Sequence, residues 1–346
     1  FSVTILTTDS LVDSFKEKNL SIKSQEKVPL SSFRKLRSYD RFCENFLAAN
    51  PSDIVLGLDR NRFQTHLRAG NGVHRAYLEK RKMIDPFFKR LSFAFNPLHQ
   101  TILSFERKAF ESPQLKILIA NSHMVKQEIL HFYATDPKKI HVIHNGMEWQ
   151  EMHNDFDEWP QKKGLIASAL KLDPSVFHFL FIGHHYRRKG LEKLLEALSL
   201  LRKETFHLSV VGKDKDIASY KTLAHRLNLG EKVSFFGSQP NLRPFYQLAD
   251  CLVVPSFYDP FANVTVEALA MGLFVISSKT NGGHEVLSEE SGLVIDDLMR
   301  PDAIADTLRR GMKRAKTLQG ARGIRESVRH LDFSNQLKHL TDLVLS

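Results

Sequence analysis

The sequence predicts an α/β protein built as two parallel-sheet domains, and three observations carry that prediction. With 346 residues the chain exceeds one ordinary domain and suits two of about 150 to 170 each, large enough for real cores. Short apolar runs alternate with stretches of helical periodicity along its length. Residues 251–285, CLVVPSFYDPFANVTVEALAMGLFVISSKTNGGHE, read as strand, loop, helix, strand, loop. Two apolar strands joined through a helix form a βαβ unit, parallel and right-handed. In such sheets ligands collect at the carboxyl ends of the strands, where SFYDPFAN and KTNGGHE both sit.

Composition narrows the class. A chain that is 42% hydrophobic and 25% charged is globular. Cys43 and Cys251 make neither a disulfide framework nor a metal spacing, which favours a reducing compartment. No apolar run approaches membrane-spanning length, and no signal peptide is evident, although the chain opens at Phe1 and a lost leading segment stays open. The net charge is +10, and residues 1–150, with 23 Lys and Arg against 15 Asp and Glu, carry most of it. An anionic acceptor or an anionic membrane surface is the natural partner, with nucleic acid as the generic competitor.

The first half opens with FSVTILTT as a strand and KNLSIKSQE as another. Phe33, Leu36, Phe42, Phe46 and Leu47 recur at near-helical spacing up to Pro51, and SDIVLGLD reads as a buried strand. AGNGVH needs permissive backbone at Gly70 and Gly72 and sets Asn71 and His74 near the end of the preceding strand. Residues 77–105 interleave Lys80, Arg81, Lys82, Lys89 and Arg90 with Phe87, Phe88, Leu91, Phe93 and Phe95. That is the makeup of a segment lying in a membrane interface; a helix packed on the sheet is the plainer alternative. No RNA-binding signature accompanies the aromatics, so nucleic acid is not an expected partner. Pro86 and Pro97 break the segment into pieces. A helix to Pro113, the strand LKILIANS, the helix HMVKQEILHFYA and the strand and turn KIHVIHNGME close the first domain. EWQEMHNDFDEWP, poor in periodicity and bounded by Pro160, reads as the linker.

The second half opens with a helix from Gln161 to Leu172 and the buried strand VFHFLFIG, which ends at Gly183. Leu191, Leu194, Leu195, Leu198 and Leu201 give a clean helical face, so RRKG stands at a helix N-terminus. Two guanidinium groups and an ammonium beside free helix amides make a pyrophosphate clamp; a solvated basic cluster is the bland alternative. Asp214 and Asp216 form a D-x-D, but acids at a helix start need no metal to explain them, and none is assigned. KVSFFG is a strand and SQPNLRPFYQLAD a loop and helix. In the organising stretch the amides around Phe261 to Val264 open toward the strand ends as a site for an anion or a hydroxyl. Asn263 and Glu267 share one helical face, and the carboxylate can accept two vicinal hydroxyls such as those of a ribose; Asp259 can accept from a second polyol. The competing reading has Asp259 capping the helix and Glu267 in solvent. Gly282, Gly283 and Glu285 shape a second phosphate-facing turn, LVIDD ends the sheet, and the last helices, FSNQLKHLTDLVL among them, are expected to brace the first domain.

The run D-P-F-A-N-V-T-V-E-A-L-A-M-G at 259–272 resembles the E-P-F-G-x-x-x-x-E-A-x-A-x-G of the retaining GT-B glycosyltransferases of family four. R-K-G at 188–190 resembles the phosphate-binding element of that family, and A-N-S at 120–122 and V-I-H-N-G-M at 142–147 resemble its closing strands. The resemblance implies a GT-B fold, two Rossmann-like domains facing a cleft. Residues 1–153 would be the acceptor-binding domain, lacking its first βα unit because no Gly-rich loop stands ahead of Gly57. Residues 154–326 would bind the nucleotide sugar and 327–346 would cross back. The implied activity is retaining, metal-independent and cofactor-free transfer of a hexose from a nucleotide diphosphate sugar. In the lipopolysaccharide core branch, to which AGNGVH is similar, the donor would be UDP-glucose and the acceptor a lipopolysaccharide core or other anionic glycolipid. The implied setting is the inner face of the cytoplasmic membrane. The resemblance assigns Arg188, Lys189, Asp259 and Glu267 to catalysis, Gly183, Phe261, Ala262, Asn263, Gly282 and Gly283 to the donor, and Asn71 and His74 to the acceptor side of the cleft. Asp259 shortens the first acid by a methylene, and Ala262 replaces the Gly that comes closest to the sugar. A noncatalytic nucleotide-sugar-binding scaffold and another GT-B enzyme, such as an epimerase, are the alternatives.

Overall fold

The computed structural model describes residues 2–9, 18–58 and 60–346. They form two compact units, Phe1–Ala120 with Lys126–His141, and Asn121–Val125 with Val142–Ser346.

In the first unit β1 (Val3–Thr7) and β2 (Leu20–Ser24) pair in parallel, and α1 (Ser32–Ala49) leads to a second sheet. That sheet has the order β3 (Leu56–Gly57), β4 (His66–Ala69), β5 (Ile117–Ala120), β6 (Ile140–Val142). Helices α2 (His74–Ile84), α3 (Phe87–Phe95) and α4 (Pro97–Phe110) lie between β4 and β5, and α5 (His123–Phe132) follows β5. The breaks fall at Pro86 and Pro97, as expected, because proline cannot continue a helix but suits its first turn. Asn96 caps α4, its Oδ1 accepting from Leu98 N at 2.9 Å. The expected buried strand at 52–59 is corrected: among its described residues only Leu56–Gly57 pairs in the sheet, and Leu58 is 64% exposed, β3 being the sheet's edge; position 59 lies outside the described residues.

The second unit begins with α6 (His153–Ala169) and continues through β7 (Phe177–Ile182), α7 (Leu191–Ser199), β8 (Phe206–Val211), α8 (Ile217–Arg226), β9 (Val233–Gly237) and α9 (Arg243–Leu248). Then come β10 (Cys251–Val254), α10 (Asn263–Ala270), β11 (Phe274–Ser278), β12 (Gly292–Ile295), α11 (Pro301–Met312), α12 (Leu318–Ser327) and α13 (Phe333–Leu345). The six strands stand in the order β12-β11-β10-β7-β8-β9, all parallel. Strands covered on both faces read as unbroken apolar runs, which is why β7, β8, β10 and β11 were legible. Leu191, Leu194, Leu195 and Leu198 of α7 are fully buried, each worth about 1.5–3 kcal/mol relative to exposure.

The linker expectation is overturned. Met152, Phe156 and Trp159 stand at i, i+4 and i+7 and pack with Met147 and Trp149 into the core of the second unit. Their stripe is masked in sequence by the acids between them. Pro160 sits inside α6 at the cost of one backbone bond. Arg325, itself buried, stacks over Trp149 at 4.0 Å and donates to Ala270 O at 2.5 Å and Trp149 O at 2.8 Å, joining this segment to the end of α10. At the far end Phe333 N donates to Met147 O, so α13 starts on the same core.

Candidate functional site

The order β10-β7 in the middle of the six-stranded sheet is where the chain reverses its direction of winding, and a crevice opens outside the carboxyl ends of such a strand pair. Two loops leave from there, residues 183–190 after β7 and 255–262 after β10. They are locked backbone to backbone. Gly190 has φ +77°, and a Cβ there would lie 1.9 Å from Pro255 O, so only glycine admits this approach. Phe257 N donates to Arg188 O at 2.9 Å.

That closeness delivers the charges. Lys189 Nζ lies 2.5 Å from Asp259 Oδ2, and Arg188 Nη1 lies 3.4 Å from the same oxygen while donating to Tyr258 O at 2.8 Å. The Lys189 stem packs beside Gly183, where a Cβ would stand 3.1 Å from Lys189 Cγ. Asp259 is 7% exposed and faces two cations, the arrangement a buried carboxylate requires. The structure therefore joins Gly183, Arg188, Lys189 and Asp259 directly.

A third loop, after β11, is tied to the second by Asn281, which is fully buried. Its Oδ1 accepts from Ala262 N at 2.9 Å and from Gly283 N at 3.1 Å, and its Nδ2 donates to Ser277 Oγ at 2.9 Å. Gly282 N donates to Asp259 O, and a Cβ on Gly282 would meet Pro260 O at 2.1 Å. The expectation of free amides around 261–264 is thus corrected in part: the Ala262, Gly282 and Gly283 amides are spent holding loops together. The Asn263 and Val264 amides at the start of α10 have no protein acceptor among the described residues. Phe261 is buried, and the exposed Asn263 accepts from Asn145 Nδ2 at 2.7 Å. Glu267, half-buried, does not touch the Arg188–Lys189–Asp259 group; its Oε2 accepts from Tyr246 Oη at 2.7 Å.

Glu285 accepts from His123 N and Met124 N, both at 2.7 Å, and pairs with His144 Nε2 at 3.0 Å. Burial pushes this carboxyl up, but the bonds from His144, His123 and Met124 outweigh it and hold the group below its ordinary value. His123, His144 and Glu285 bring three ligand atoms within 4.8 Å of one another, and these hydrogen bonds account for the grouping as a helix cap. Of the D-x-D acids, Asp214 is likewise engaged, accepting from Tyr186 N at 2.7 Å and from Asp216 N at 2.9 Å, and Asp216 is exposed. Tyr186 is buried and donates to Gly212 O, so Asp214 and Tyr186 anchor the basic loop.

In the first unit Asn71 is exposed at the bend before α2. His74, expected to present a hydrogen-bonding ring on the acceptor side, is instead 5% exposed, with Nε2 3.0 Å from His99 Nδ1. Burial, with Arg60, His99 and Arg81 nearby, pushes it down to about 3, so it is neutral. Its backbone N donates to the buried Glu106 at 2.6 Å, a tie between α2 and α4.

A family model described as Glycosyl transferases group 1 matches residues 165–340, half of the chain and the part that holds this site. The chain belongs to the group 1 glycosyl transferases. A second model, Glycosyltransferase Family 4, matches residues 3–150. Among the relatives of this glycosyltransferase is the lipopolysaccharide glucosyltransferase WaaG of Escherichia coli K12, 24% identical over 283 residues that cover 79% of this chain and 72% of WaaG. An uncharacterized glycosyltransferase of Methanocaldococcus jannaschii is 30% identical over 57% of this chain, which spans 50% of that relative. In structure the chain superposes on WaaG with a TM-score of 0.72 at 21% identity, covering 94% of this chain and 87% of WaaG. It superposes on Anabaena HepE, solved with UDP and glucose, with a TM-score of 0.67 at 14% identity, over 95% and 87% of the two chains. The fold is GT-B, two Rossmann-like α/β domains.

Tyr246, Asn281, Tyr186 and Asp214 were not singled out from sequence as parts of the site. Only for Asn281 was there a local signal, a lone amide between a buried strand and Gly282-Gly283.

Proposed function

We propose that this glycosyltransferase is a retaining hexosyltransferase that moves glucose from UDP-glucose to an anionic glycolipid such as a lipopolysaccharide core. The observation that supports it is the meeting of Arg188, Lys189 and Asp259 at the switch point of a parallel sheet. In this reading Arg188, Lys189 and the open α10 amides take the diphosphate, Asp259 accepts from the sugar, and Glu267 accepts from the ribose. The bond from the anomeric carbon to the β-phosphate oxygen breaks with its electron pair passing to that oxygen, where the two cations stabilise the charge. The acceptor hydroxyl bonds to the same face of that carbon, its proton passes to the departing phosphate oxygen, and configuration is retained without a protein nucleophile. Side-chain cations supply the charge, so the scheme calls for neither a metal nor a cofactor.

The choice of donor and acceptor is supported by what relatives are: WaaG is a lipopolysaccharide glucosyltransferase, and HepE was solved with UDP and glucose. No helix among the described residues is long and apolar enough to cross a membrane. The chain works at the inner face of the cytoplasmic membrane as a peripheral protein, held through residues 77–105. Exposed Phe87, Phe88, Leu91 and Phe95 of α3, with Lys82, Lys89 and Arg90 alongside, support that attachment. The test is turnover of a panel of nucleotide sugars by the wild type, Lys189→Ala and Glu267→Ala. UDP-glucose is expected to be consumed, with a loss of about 10²–10³-fold for Lys189→Ala. Full transfer by both variants would overturn the reading.

A further inference from the structure

We infer that Tyr246 is a positioning residue for Glu267, holding that carboxylate in the one orientation that accepts the ribose hydroxyls of a nucleoside diphosphate. The inference rests on the ribose role proposed above for Glu267. Tyr246 lies on α9, is 1% exposed, and donates from Oη to Glu267 Oε2 at 2.7 Å. Burial, then the neighbouring carboxylate, hold the phenol far above its ordinary value, so it stays a donor.

A glutamate on an exposed helix face samples many rotamers, and ordering it on binding costs free energy. Here one oxygen is pinned and the other accepts from no protein group among the described residues, so the carboxylate meets its ligand already oriented. The pin is itself braced. Tyr246 O accepts from Lys316 Nζ at 3.1 Å, Lys316 N donates to the buried Asp250 at 3.2 Å, and Lys316 Nζ lies 4.5 Å from the Trp159 ring. Lys163 Nζ and His178 N complete Asp250 at 3.0 and 2.8 Å. The line from Asp250 through Lys316 and Tyr246 to Glu267 connects the interior of the second unit to its proposed ligand.

The experiment compares UDP with its 2′,3′-dideoxyribose counterpart by calorimetry on the full chain, for wild type, Tyr246→Phe and Glu267→Ala. Wild type is expected to prefer UDP, and Glu267→Ala to lose that preference. Tyr246→Phe keeps the ring and its packing and removes only the hydroxyl; its preference is expected to fall by about tenfold, with UDP affinity falling and dideoxy affinity steady. Equal weakening for both ligands, or an unchanged preference, would show Tyr246 to be a packing residue and overturn the inference. Should Tyr246→Phe melt early, Lys316→Met, which leaves the hydroxyl in place and loosens its brace, is expected to reduce the same preference; an unchanged preference there overturns it too. Absence of any wild-type preference, or its survival in Glu267→Ala, overturns the ribose reading instead.

Discussion

Lys189 Nζ stands 2.5 Å from Asp259 Oδ2, so the cation proposed for the donor's phosphate is matched by the carboxylate proposed for the donor's sugar. A phosphate that takes Lys189 must compete with that carboxylate, and Arg188, 3.4 Å from the same oxygen, shares the competition. Asp259→Asn removes the competing charge while keeping the shape. UDP alone is expected to bind this variant more tightly, by roughly three- to tenfold, up to about 1.4 kcal/mol. Sugar transfer is expected to fall at least tenfold, roughly the same energy in the barrier, because a neutral amide replaces one of the carboxylate's two accepting oxygens with a donor and removes the charge that strengthens the sugar's hydrogen bonds. Titration with UDP and a transfer assay on the same preparation check both halves. An Asn variant that bound UDP no better would show that the carboxylate does not oppose the phosphate.

Gly190→Ala is expected to lose both stability and activity. The position has φ +77°, and the added Cβ would lie 1.9 Å from Pro255 O, with nothing flexible to give way. Strain of this kind costs about 1–3 kcal/mol before any loop displacement is counted. Thermal melting and UDP titration measure the two losses. Gly164→Ala, with open space around its Cβ position and a place inside α6, is the control and is expected to melt no lower than wild type.

The second unit was legible because its strands are covered on both faces: CLVV and FVISS could not be anything but buried, and Gly272 marked the helix end between them. The helix expected from Gln161 in fact begins at His153; its first two turns were lost because three apolar residues at helical spacing were outnumbered by acids, and Pro160 looked like a boundary. His74 was misread for a different reason. A histidine beside Gly72 looks like a ligand, and only the partner 25 residues away, His99, shows it to be packed. The Arg188–Lys189–Asp259 group joins residues about seventy apart, and local pattern does not reach that far; the family resemblance did. Tyr246 and Asn281 act on partners on other elements and carried no periodicity that would nominate them.

Acid should destabilise the fold through two buried histidines. Burial, and less so its neighbour His178, pushes His207 down to about 4, and His74 sits at about 3, while both return to the ordinary value near 6.5 when the chain unfolds. The unfolded state therefore binds more protons throughout that interval, and stability rises with pH across it. The contribution is complete above pH 6.5 and is lost as pH falls toward 4, about 2 kcal/mol per histidine by pH 5. Urea midpoints from pH 7.5 to 5 are expected to decline, and His207→Gln to decline less steeply. Parallel slopes in the two proteins would remove His207 from the account.

Attachment through α3 makes a separable prediction. Phe88 and Phe95 are each 84% exposed, whereas Phe93 on the same helix is buried under Arg81, whose guanidinium lies 4.8 Å from its ring. The helix thus uses one aromatic for the interior and leaves three, Phe87, Phe88 and Phe95, in solvent. Burying a phenylalanine in an apolar phase is worth about 1.5–3 kcal/mol, so Phe88→Ser with Phe95→Ser is expected to weaken vesicle binding by roughly a hundredfold. Each nearby cation adds about 1 kcal/mol at an anionic surface and nothing at a neutral one. Neutralising Lys82, Lys89 and Arg90 should therefore matter on vesicles rich in anionic lipid, fade with added salt, and vanish on neutral vesicles. Sedimentation with vesicles of both compositions decides it. Equal binding to both, indifferent to the serine pair, would assign α3 to some other contact.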